Sequence, residues 1–412
     1  MVEMNLFLRL PAALSASDYS CQFASSVQTR RTWLSLAFAL VMPLGCAPNA
    51  SQNVQERAAD SLSGVPEYVW RAPETRSIAG APFSDSEDIT QPARMAILGR
   101  YLLVLDAAAP KSINVFELSS GRRTDRLEAR SRRAEDVGGF WAIDVSRGQN
   151  ERFSILDLAG QTITEYSLDQ STGRVQKETK ALRVSAGGIV TEALALSSRQ
   201  FLAFGHFERQ GWALLDSLGR LVAPVGGEPP GEASTPPKVR AHAYQAHIVG
   251  SRRDGPFAVA YRNAARLSIV GPRGNVLASA RTPVSYEPQF NVATRGGRPA
   301  LLIDRQHNRL GYVDVAGTHT RIYALFSGRL VREFGSRADL ARQVHVLDWE
   351  GRFIASWILD ASVQAIAVDS SGSSLYAARM DPYPAILRYH IANDSLLLRT
   401  AGQSPSTNQD RR

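Results

Sequence analysis

The chain has 412 residues, 44% of them hydrophobic, which is enough to bury the core of one large domain. Its formal net charge is +8, but the 47 basic residues are dense only in a few short arginine runs in predicted loops, so a basic surface for nucleic acid is not expected. The two cysteines, Cys21 and Cys46, lie near the N-terminus, which excludes disulfides, cysteine metal ligands and a catalytic thiol from any domain that follows them.

Residues 1–46 have the organisation of an export signal. Arg30 and Arg31 are followed by an apolar run, residues 33–42, that is too short to span a bilayer. The segment ends in Leu44-Gly45-Cys46, which resembles the lipobox of bacterial lipoproteins. The resemblance implies that a lipid is attached to Cys46 and that the protein is exported and anchored to a membrane, in the periplasm or at the cell surface. A plain secretory signal with an incidental cysteine is the alternative, and the Sec and twin-arginine routes both stay open.

The next segment differs in composition from the rest of the chain. Residues 47–75 are rich in Ser, Asn, Gln and Gly and have no apolar period, which is typical of a flexible tether. Residues 401–412 are also polar and are predicted to be a disordered tail. The folded domain is therefore expected to comprise residues 76–400.

Within residues 76–400, short segments rich in β-branched and aromatic residues are bounded by Gly, Asp, Ser or Pro, which predicts strands. One turn recurs, with Asp first and Gly three residues later, most clearly at Asp348 and Gly351. Related turns end at Gly121, Gly160, Gly219 and Gly274. We expect positive φ at Gly219 and Gly351. With a final turn at Asn393-Asp394 there are six hairpins, which predicts an all-β, six-bladed β-propeller of four-stranded antiparallel blades.

The predicted strands follow the chain in six groups. The first three groups are 94–98, 101–106, 112–118 and 123–129; 140–145, 152–158, 162–168 and 175–183; and 193–196, 201–205, 212–216 and 221–225. The last three are 244–249, 257–261, 266–270 and 276–281; 310–315, 322–326, 343–348 and 353–359; and 363–368, 374–378, 385–390 and 396–399. Residues 226–239 are expected to form a surface loop and residues 290–309 an inserted segment. Because an open ring would expose edge strands, we expect residues 75–79 to pair with the last blade.

The clearest strands carry a family resemblance. They are Ile322-Tyr323-Ala324-Leu325-Phe326-Ser327-Gly328-Arg329, His345-Val346-Leu347-Asp348-Trp349-Glu350-Gly351-Arg352 and Ser373-Ser374-Leu375-Tyr376-Ala377-Ala378. They resemble the TolB-like six-bladed β-propeller lipoproteins of bacteria, closely over residues 310–390 and more loosely back to residue 94. Phe326 stands where that family usually has Tyr. The resemblance implies the propeller fold and an exported location, and it implies no particular activity.

The sequence contains none of the common catalytic motifs: no Gly-x-Ser-x-Gly, no His-Glu-x-x-His and no Walker loop. We therefore assign no catalytic, cofactor-binding or metal-binding residue and expect no cofactor. Asp106, Asp144, Asp314 and Asp369 end predicted strands and are candidates for a cation site if they converge. The other interpretation is that each of them initiates a turn.

Two more polar groups have both a functional and a structural interpretation. His242 and His247 are five residues apart and either share a metal or simply flank the start of a strand. The cluster Asp304-Arg305-Gln306-His307-Asn308 lies in the inserted segment, where it either reaches the mouth of the channel or forms a solvated turn.

Two classes of function follow from this sequence. We prefer a non-enzymatic exported propeller, a monomer that binds a protein or small-molecule ligand on the loop face around its channel. The alternative is a channel-site enzyme, such as a calcium-dependent lactonase or a quinone-dependent sugar dehydrogenase, in which carboxylate, Asn or His groups converge on one cation. Convergence of three or more such side chains in the channel would favour the enzyme, whereas an arginine-lined or aromatic rim would favour binding.

Overall fold

The structure is a computed structural model. It describes residues 65–69, 75–84, 89–108, 112–128, 140–145, 152–178, 181–252 and 254–391. The predicted export signal with Cys46, the predicted strand 396–399 and the predicted tail 401–412 lie outside the described residues.

Three short strands precede the first blade: β1 (Glu67–Val69), β2 (Thr75–Ile78) and β3 (Gly80–Pro82). The first blade contains β4 (Pro92–Leu98), β5 (Tyr101–Asp106), β6 (Ser112–Glu117) and β7 (Arg123–Glu128). The second contains β8 (Phe140–Val145), β9 (Arg152–Asp157), β10 (Thr162–Leu168), β11 (Val175–Lys177) and β12 (Leu182–Arg183). The third contains β13 (Ile189–Ala195), β14 (Phe201–His206), β15 (Trp212–Leu215) and β16 (Leu221–Val225). In the second blade, two short strands replace the long one predicted for residues 175–183.

A helix, α1 (Pro237–Ala243), precedes the fourth blade, which contains β17 (Ala246–Gly250), β18 (Phe257–Tyr261), β19 (Arg266–Val270) and β20 (Val276–Arg281). A separate hairpin follows, made of β21 (Phe290–Arg295) and β22 (Arg298–Ile303). The last two blades contain β23 (Tyr312–Gly317), β24 (Ile322–Phe326), α2 (Val331–Phe334), a 3-10 helix (Gly335–Asp339), β25 (Ala341–Leu347), β26 (Phe353–Val368), β27 (Ser374–Arg379) and β28 (Ala385–His390).

The fifth and sixth blades are joined by one strand. β26 has 16 residues, and its first half pairs with β25 while its second half pairs with β27. The sequence predicted two strands here, at 353–359 and 363–368. The prediction was wrong on this point because no turn residue with positive φ interrupts Asp360-Ala361-Ser362, so the extended backbone continues from one blade into the next.

The N-terminal strands run along the rims of the last three blades. β3 pairs antiparallel with β28 and supplies the fourth strand of the sixth blade. β2 pairs in parallel with the fifth-blade half of β26, and β1 pairs in parallel with β20 at the rim of the fourth blade. Closure of the ring therefore involves the segment after residues 75–79, and the predicted tether 47–75 contains a strand in its described part.

The core lies between neighbouring blades, because each blade packs one sheet face on the blade before it and the other on the blade after it. The strand β5 shows the consequence, since all of its residues are buried and its sequence is a continuous apolar run rather than an alternating one. Met95 and Phe116 of the first blade pack with Tyr376 and Ile386 of the sixth in one cluster. This cluster closes the ring with the same apolar contact that joins the other blades.

The two faces of the propeller differ. The helices α1 and α2 and the hairpin β21–β22 all lie at the face where the inner strands begin, since α1 leads into β17 and the hairpin precedes β23. The opposite face, where the inner strands end, has tight turns such as Gly99-Arg100 and Ser371-Gly372. The difference leaves this second face open at the centre of the ring.

Candidate functional site

A funnel opens on this second face and has a volume of about 530 Å³. The inner strands of all six blades line it: β4, β8, β13, β17, β23 and the second half of β26. The wall exposes apolar and polar surface in similar amounts, and its apolar residues include Ile97, Ile143, Leu194, Ile248 and Val315. A concave site with apolar walls and a few polar groups is the usual form of a ligand pocket.

The floor of the funnel is a charged cluster built around Arg94. The guanidinium donates from Nη1 to Asp314 Oδ1 at 2.9 Å and from Nη2 to Glu192 Oε1 at 2.7 Å. Nη2 also contacts His247 Nδ1. These four residues come from the first, fifth, third and fourth blades, so the cluster connects strands that are far apart in the chain. We call Arg94, Glu192, His247 and Asp314 the floor cluster.

Local irregularities in the inner strands position the floor cluster. A β-bulge lies directly before Arg94 in β4, before Glu192 in β13 and before Asp314 in β23. A bulge adds one residue to one strand and redirects the side chains that follow it. Asp314 is fixed further, because its Oδ2 accepts a hydrogen bond from the backbone N–H of Ile366 in the sixth blade at 2.7 Å.

Burial and charge act together on the protonation of the floor cluster. Burial and, less strongly, Asp314 raise the pKa of Glu192 to about 7, although Arg94 opposes the shift. Burial also raises the pKa of Asp314, although Arg94 opposes this. Burial alone would lower the pKa of Arg94, but Glu192 and Asp314 outweigh it, so the pKa is raised and the guanidinium stays charged.

His247 is the neutral member of the floor cluster. Burial, Arg94 and Arg262 hold the pKa of His247 well below its usual value. Because Arg94 donates to Nδ1, the imidazole proton is on Nε2. Nε2 is buried and has no hydrogen-bond partner among the described residues.

The model of the TolB-like 6-blade propeller-like family matches residues 83–371, which is more than half of the chain. The chain belongs to this family. No curated protein matches the sequence.

Three solved structures are similar to this TolB-like chain at low identity. The WD40 repeats of RRP9 are 10% identical, cover 76% of this chain and 99% of theirs, and have a TM-score of 0.44. U3-55K is 11% identical, covers 72% of this chain and 80% of its own, and has a TM-score of 0.39. Kuenenia stuttgartiensis hydrazine synthase is 11% identical, covers 74% of this chain and 97% of its own, and has a TM-score of 0.42.

The four aspartates that the sequence offered as candidates for a cation site lie in different parts of the TolB-like fold. Asp314 is in the floor cluster, and Asp144 lines the funnel, where its Oδ2 accepts from Ala195 N at 2.9 Å. Asp106 instead accepts hydrogen bonds from the backbone of Thr90 and Gln91, which fixes the entry to the first blade. Asp369 is the first residue of a turn and accepts from the N–H of Ser373 at 2.7 Å. Two of the four therefore face the funnel and two shape the backbone.

His242 and His247, which the sequence places five residues apart, do not act as a unit. His242 lies in α1, where its ring stacks on His206 with centroids 4.2 Å apart, and His247 lies in the floor cluster. Burial lowers the pKa of His206 to about 3 and also lowers the pKa of His242. Among the residues that the structure describes, no group of three or more His, Cys, Asp or Glu has the arrangement of a metal site.

The inserted segment does not reach the mouth of the funnel. Its polar cluster forms a turn after β22, in which Asp304 accepts from the N–H of Gln306 and pairs with His307 Nδ1 at 2.8 Å. Asn308 is buried and donates to Asn263 Oδ1 at 3.1 Å. This turn is on the face opposite to the funnel mouth and has a structural role.

Arg94 and Glu192 were missed at the sequence level. Each is a single charged residue in an otherwise apolar strand, within Ala93-Arg94-Met95-Ala96-Ile97 and Thr191-Glu192-Ala193-Leu194-Ala195. A charge in a buried strand is expensive unless it is paired. Treating such isolated charges as members of one buried cluster would have identified both.

Proposed function

We propose that this TolB-like propeller is a non-enzymatic binding module whose ligand site is the funnel. The observation that carries the proposal is a concave funnel, lined by apolar and polar side chains from all six blades, with the buried floor cluster at its base. Such a site can bury the body of a ligand and orient one polar end of it. The position of the floor cluster, contacted by several blades at once, also gives a rigid base for recognition.

Glu192, Asp314 and His247 converge at the base of the funnel, which by the criterion drawn from the sequence favours a channel-site enzyme. The charge of Arg94 among them nevertheless favours binding over an enzyme with a catalytic cation. A calcium-dependent lactonase or quinone-dependent dehydrogenase of this shape would need several oxygen ligands free to converge on the ion. Here Glu192 Oε1 and Asp314 Oδ1 both accept from the guanidinium, which supplies a fixed positive charge among the carboxylates. A divalent cation placed next to it would be repelled.

The proposal includes a location outside the cytoplasm, with a lipid on Cys46 holding the propeller to a membrane. Its support is the order of Arg30-Arg31, the apolar run 33–42 and Leu44-Gly45-Cys46. Within the described residues, no helix has the length and apolar character needed to cross a membrane.

Three probes of the same shape test the funnel as a ligand site: 4-phenylbutylamine, 4-phenylbutanol and 4-phenylbutyrate. We expect at least one to bind with 1:1 stoichiometry in calorimetric titration of the purified chain. Ala96→Trp places a large ring at the funnel wall and should weaken binding by about tenfold or more, which corresponds to ~1.4 kcal/mol. Ala233→Trp, in an exposed loop on the other face, is the matched control and should leave binding unchanged. Saturable binding of none of the three, or equal binding by Ala96→Trp, would count against the funnel.

The lipid anchor has its own test. Intact mass spectrometry after detergent extraction should show a diacylglyceryl group on Cys46, and Cys46→Ala should move the protein to the soluble fraction. A Cys46→Ala protein that still partitions entirely with membranes would contradict the anchor and leave the funnel proposal untouched.

A further inference from the structure

A basic surface lies away from the funnel, on the face where the inner strands begin. Residues 327–342, which contain α2 and the 3-10 helix, lie there beside residues 379–383, the end of β27 and the turn after it. Arg337 Nη2 pairs with Asp381 Oδ2 at 3.4 Å and so connects the two segments. Together they contain five arginines and three acidic residues. The surface is therefore rich in charge and basic in balance.

The three acidic residues are paired, whereas three of the arginines have no acidic partner. The pairs, in chain order, are Arg332–Glu333, Arg262–Asp339 and Arg337–Asp381. Within the described residues, no carboxylate is paired with Arg329, Arg342 or Arg379. Asp360, two residues before the Ser362 that Arg329 contacts, accepts instead from Tyr389 Oη at 2.9 Å and Gly80 N at 3.1 Å. We call Arg329, Arg342 and Arg379 the arginine patch.

Backbone carbonyls hold two members of the arginine patch in place. Arg329 Nη1 donates to Arg337 O at 2.9 Å, and Arg342 Nε donates to Leu359 O at 2.7 Å. Burial and, less strongly, the charge of Arg342 lower the pKa of Arg329, because a like charge nearby disfavours the charged form. A carboxylate bound between the two guanidinium groups would offset this repulsion.

Exposed aromatic rings flank the arginine patch. Phe334 is 42% exposed and the guanidinium of Arg329 lies 4.9 Å from its ring centre, while Tyr383 is 55% exposed and that of Arg379 lies 4.7 Å from its ring centre. Arg379 Nε has no hydrogen-bond partner among the described residues, so the ring orients this guanidinium. Arginine and aromatic residues are the types enriched where proteins bind other proteins. The composition of this surface is therefore that of a protein interface.

We infer that the arginine patch binds an acidic segment of a partner protein, in which a carboxylate accepts from Arg329 and Arg342 and an apolar side chain contacts Phe334. A guanidinium binds a carboxylate with two parallel hydrogen bonds. Within the described residues Arg342 uses only Nε, so both of its terminal nitrogens are available to the partner. The inference concerns a surface distinct from the funnel and does not rest on the funnel's proposed function.

The acidic residues of this surface favour a protein segment over the anionic headgroups of a membrane. A lipid surface presents negative charge in every direction and attracts runs of basic residues. Here the side chains of Glu333 and Asp381 are 56% and 53% exposed among the arginines, and they would repel an evenly negative surface. An extended segment can place its carboxylates at Arg329 and Arg342 and avoid both acids.

The test uses a capped pentapeptide of four glutamates around a central phenylalanine, and the same peptide with four glutamines. In calorimetric titration of the whole chain, we expect the acidic peptide to bind with 1:1 stoichiometry and at least about tenfold more tightly than the glutamine peptide. Added salt should weaken this binding.

Two variants with the same loss of charge locate the binding. Arg342 is exposed, so Arg342→Gln should fold, and it should weaken the acidic peptide by about tenfold or more. Arg273→Gln removes an exposed arginine from the turn between β19 and β20 in the fourth blade and should leave binding unchanged. Phe334→Ala, which removes a ring and no charge, should weaken both peptides.

The contrary outcomes are distinct from one another. Equal affinities for the two peptides, or binding of neither, overturn the inference. Equal weakening by Arg342→Gln and Arg273→Gln also overturns it, because binding would then follow the total charge. Peptide binding that Ala96→Trp abolishes assigns the segment to the funnel and overturns the arginine patch alone. Binding to phosphatidylglycerol vesicles that Arg342→Gln removes, with no binding of the peptide, replaces the protein partner with a membrane.

Discussion

The turn at Asp348 and the floor cluster use the same kinds of side chain in different surroundings. In the turn, Asp348 Oδ2 accepts from Arg352 Nε at 2.6 Å, and the two residues are four positions apart. In the floor cluster, Arg94 contacts Asp314, which is 220 positions away. The side chain of Arg352 is 60% exposed, whereas those of Arg94 and Asp314 are 16% and 4% exposed.

This difference in burial determines what each pair contributes to stability. An exposed ion pair contributes ~0–1 kcal/mol, because water and salt screen both charges. Removing one partner of a buried pair costs about 3–5 kcal/mol, because the other charge is left in a medium that solvates it poorly. The turn therefore directs the chain locally, while the floor cluster joins blades that are distant in sequence.

The largest effect is expected from Arg94→Met, which removes the guanidinium and keeps most of the side-chain volume. Glu192 and Asp314 would remain buried together without a counter-charge, so the free energy of unfolding should fall by about 3–5 kcal/mol in denaturant titrations. Adding Glu192→Gln and Asp314→Asn to Arg94→Met removes the charges as well and should recover part of the loss. An Arg94→Met protein as stable as the natural chain would mean that the floor cluster is solvated.

Most of the fold could be predicted from the sequence because its determinants are local. Segments such as Tyr101–Asp106 and Phe257–Tyr261 were placed with their observed bounds, since each is a continuous apolar run between turn residues. The strand β1 was not predicted, and residues 75–79, which were expected to pair with the last blade, instead form β2 against the fifth-blade half of β26. Both strands are three or four residues long and mostly exposed, and their partners lie far along the chain, so the sequence does not show which blade each of them joins.

The candidate site was less predictable than the fold for a related reason. Strand alternation assigns a side chain to a face by counting residues in twos. A bulge before Arg94, Glu192 and Asp314 adds one residue to that count, so the face changes at the positions that matter. Asp314 was a candidate because it ends a predicted strand, but its partners could be identified only once the blades were arranged in a ring.

The glycines of the turns provide the next largest effect. Gly219 and Gly351 have positive φ, of 74° and 88°, as expected from the turn pattern. Valine at either position is strained, which costs roughly 1–3 kcal/mol. Gly219→Val should be the worse variant, because a Cβ there would lie 2.6 Å from the carbonyl oxygen of Arg183, whereas at Gly351 the nearest atom is 3.4 Å away.

Thermal melting of both glycine variants tests this order, with Gly227→Val as the control. Gly227 has no neighbour within 4 Å of an added Cβ and its φ is not positive. Its melting temperature should stay close to that of the natural chain. Equal melting temperatures for all three variants would argue against the turn geometry.

A smaller effect should appear in the pH dependence of stability. Because burial raises the folded-state pKa of Glu192 to about 7, the proton it binds stabilises the fold below pH ~4.5, and this contribution is lost as the pH rises through about 7. Glu192→Gln lacks this pH-dependent contribution. Between pH 5 and pH 8 the unfolding free energy of the variant should therefore rise relative to that of the natural chain by roughly 1–3 kcal/mol.

The buried histidines act in the opposite direction and cancel in that comparison. Burial lowers the pKa of His247, His206 and His345, so their contribution is present above pH ~6.5 and is lost as the pH falls through the lower folded-state values. They are the same in both proteins. A difference curve that is flat between pH 5 and pH 8 would show that Glu192 ionises normally.

The smallest effect is expected from Arg352→Ala at the surface turn. Asp348 keeps its hydrogen bonds from the N–H groups of Glu350 and residue 352, so the loss should be ~0–1 kcal/mol and should shrink further in high salt. Asp348→Ala removes those backbone contacts too and should cost more. A loss above ~2 kcal/mol for Arg352→Ala would mean that the exposed pair at the turn stabilises the fold about as much as the buried floor cluster does.

The position of β3 in the chain has a consequence for how the protein is made. β3 precedes every blade, but its partner β28 is the last described strand. A polypeptide that emerges N-terminus first cannot complete the sixth blade until residues 385–390 have followed. Contacts of such long sequence separation form slowly, and the unpaired edges are exposed to other chains in the meantime. We therefore expect closure of the ring to come late in folding, and a chain cut after the fifth blade would leave β3 without its partner and the first blade without its neighbour.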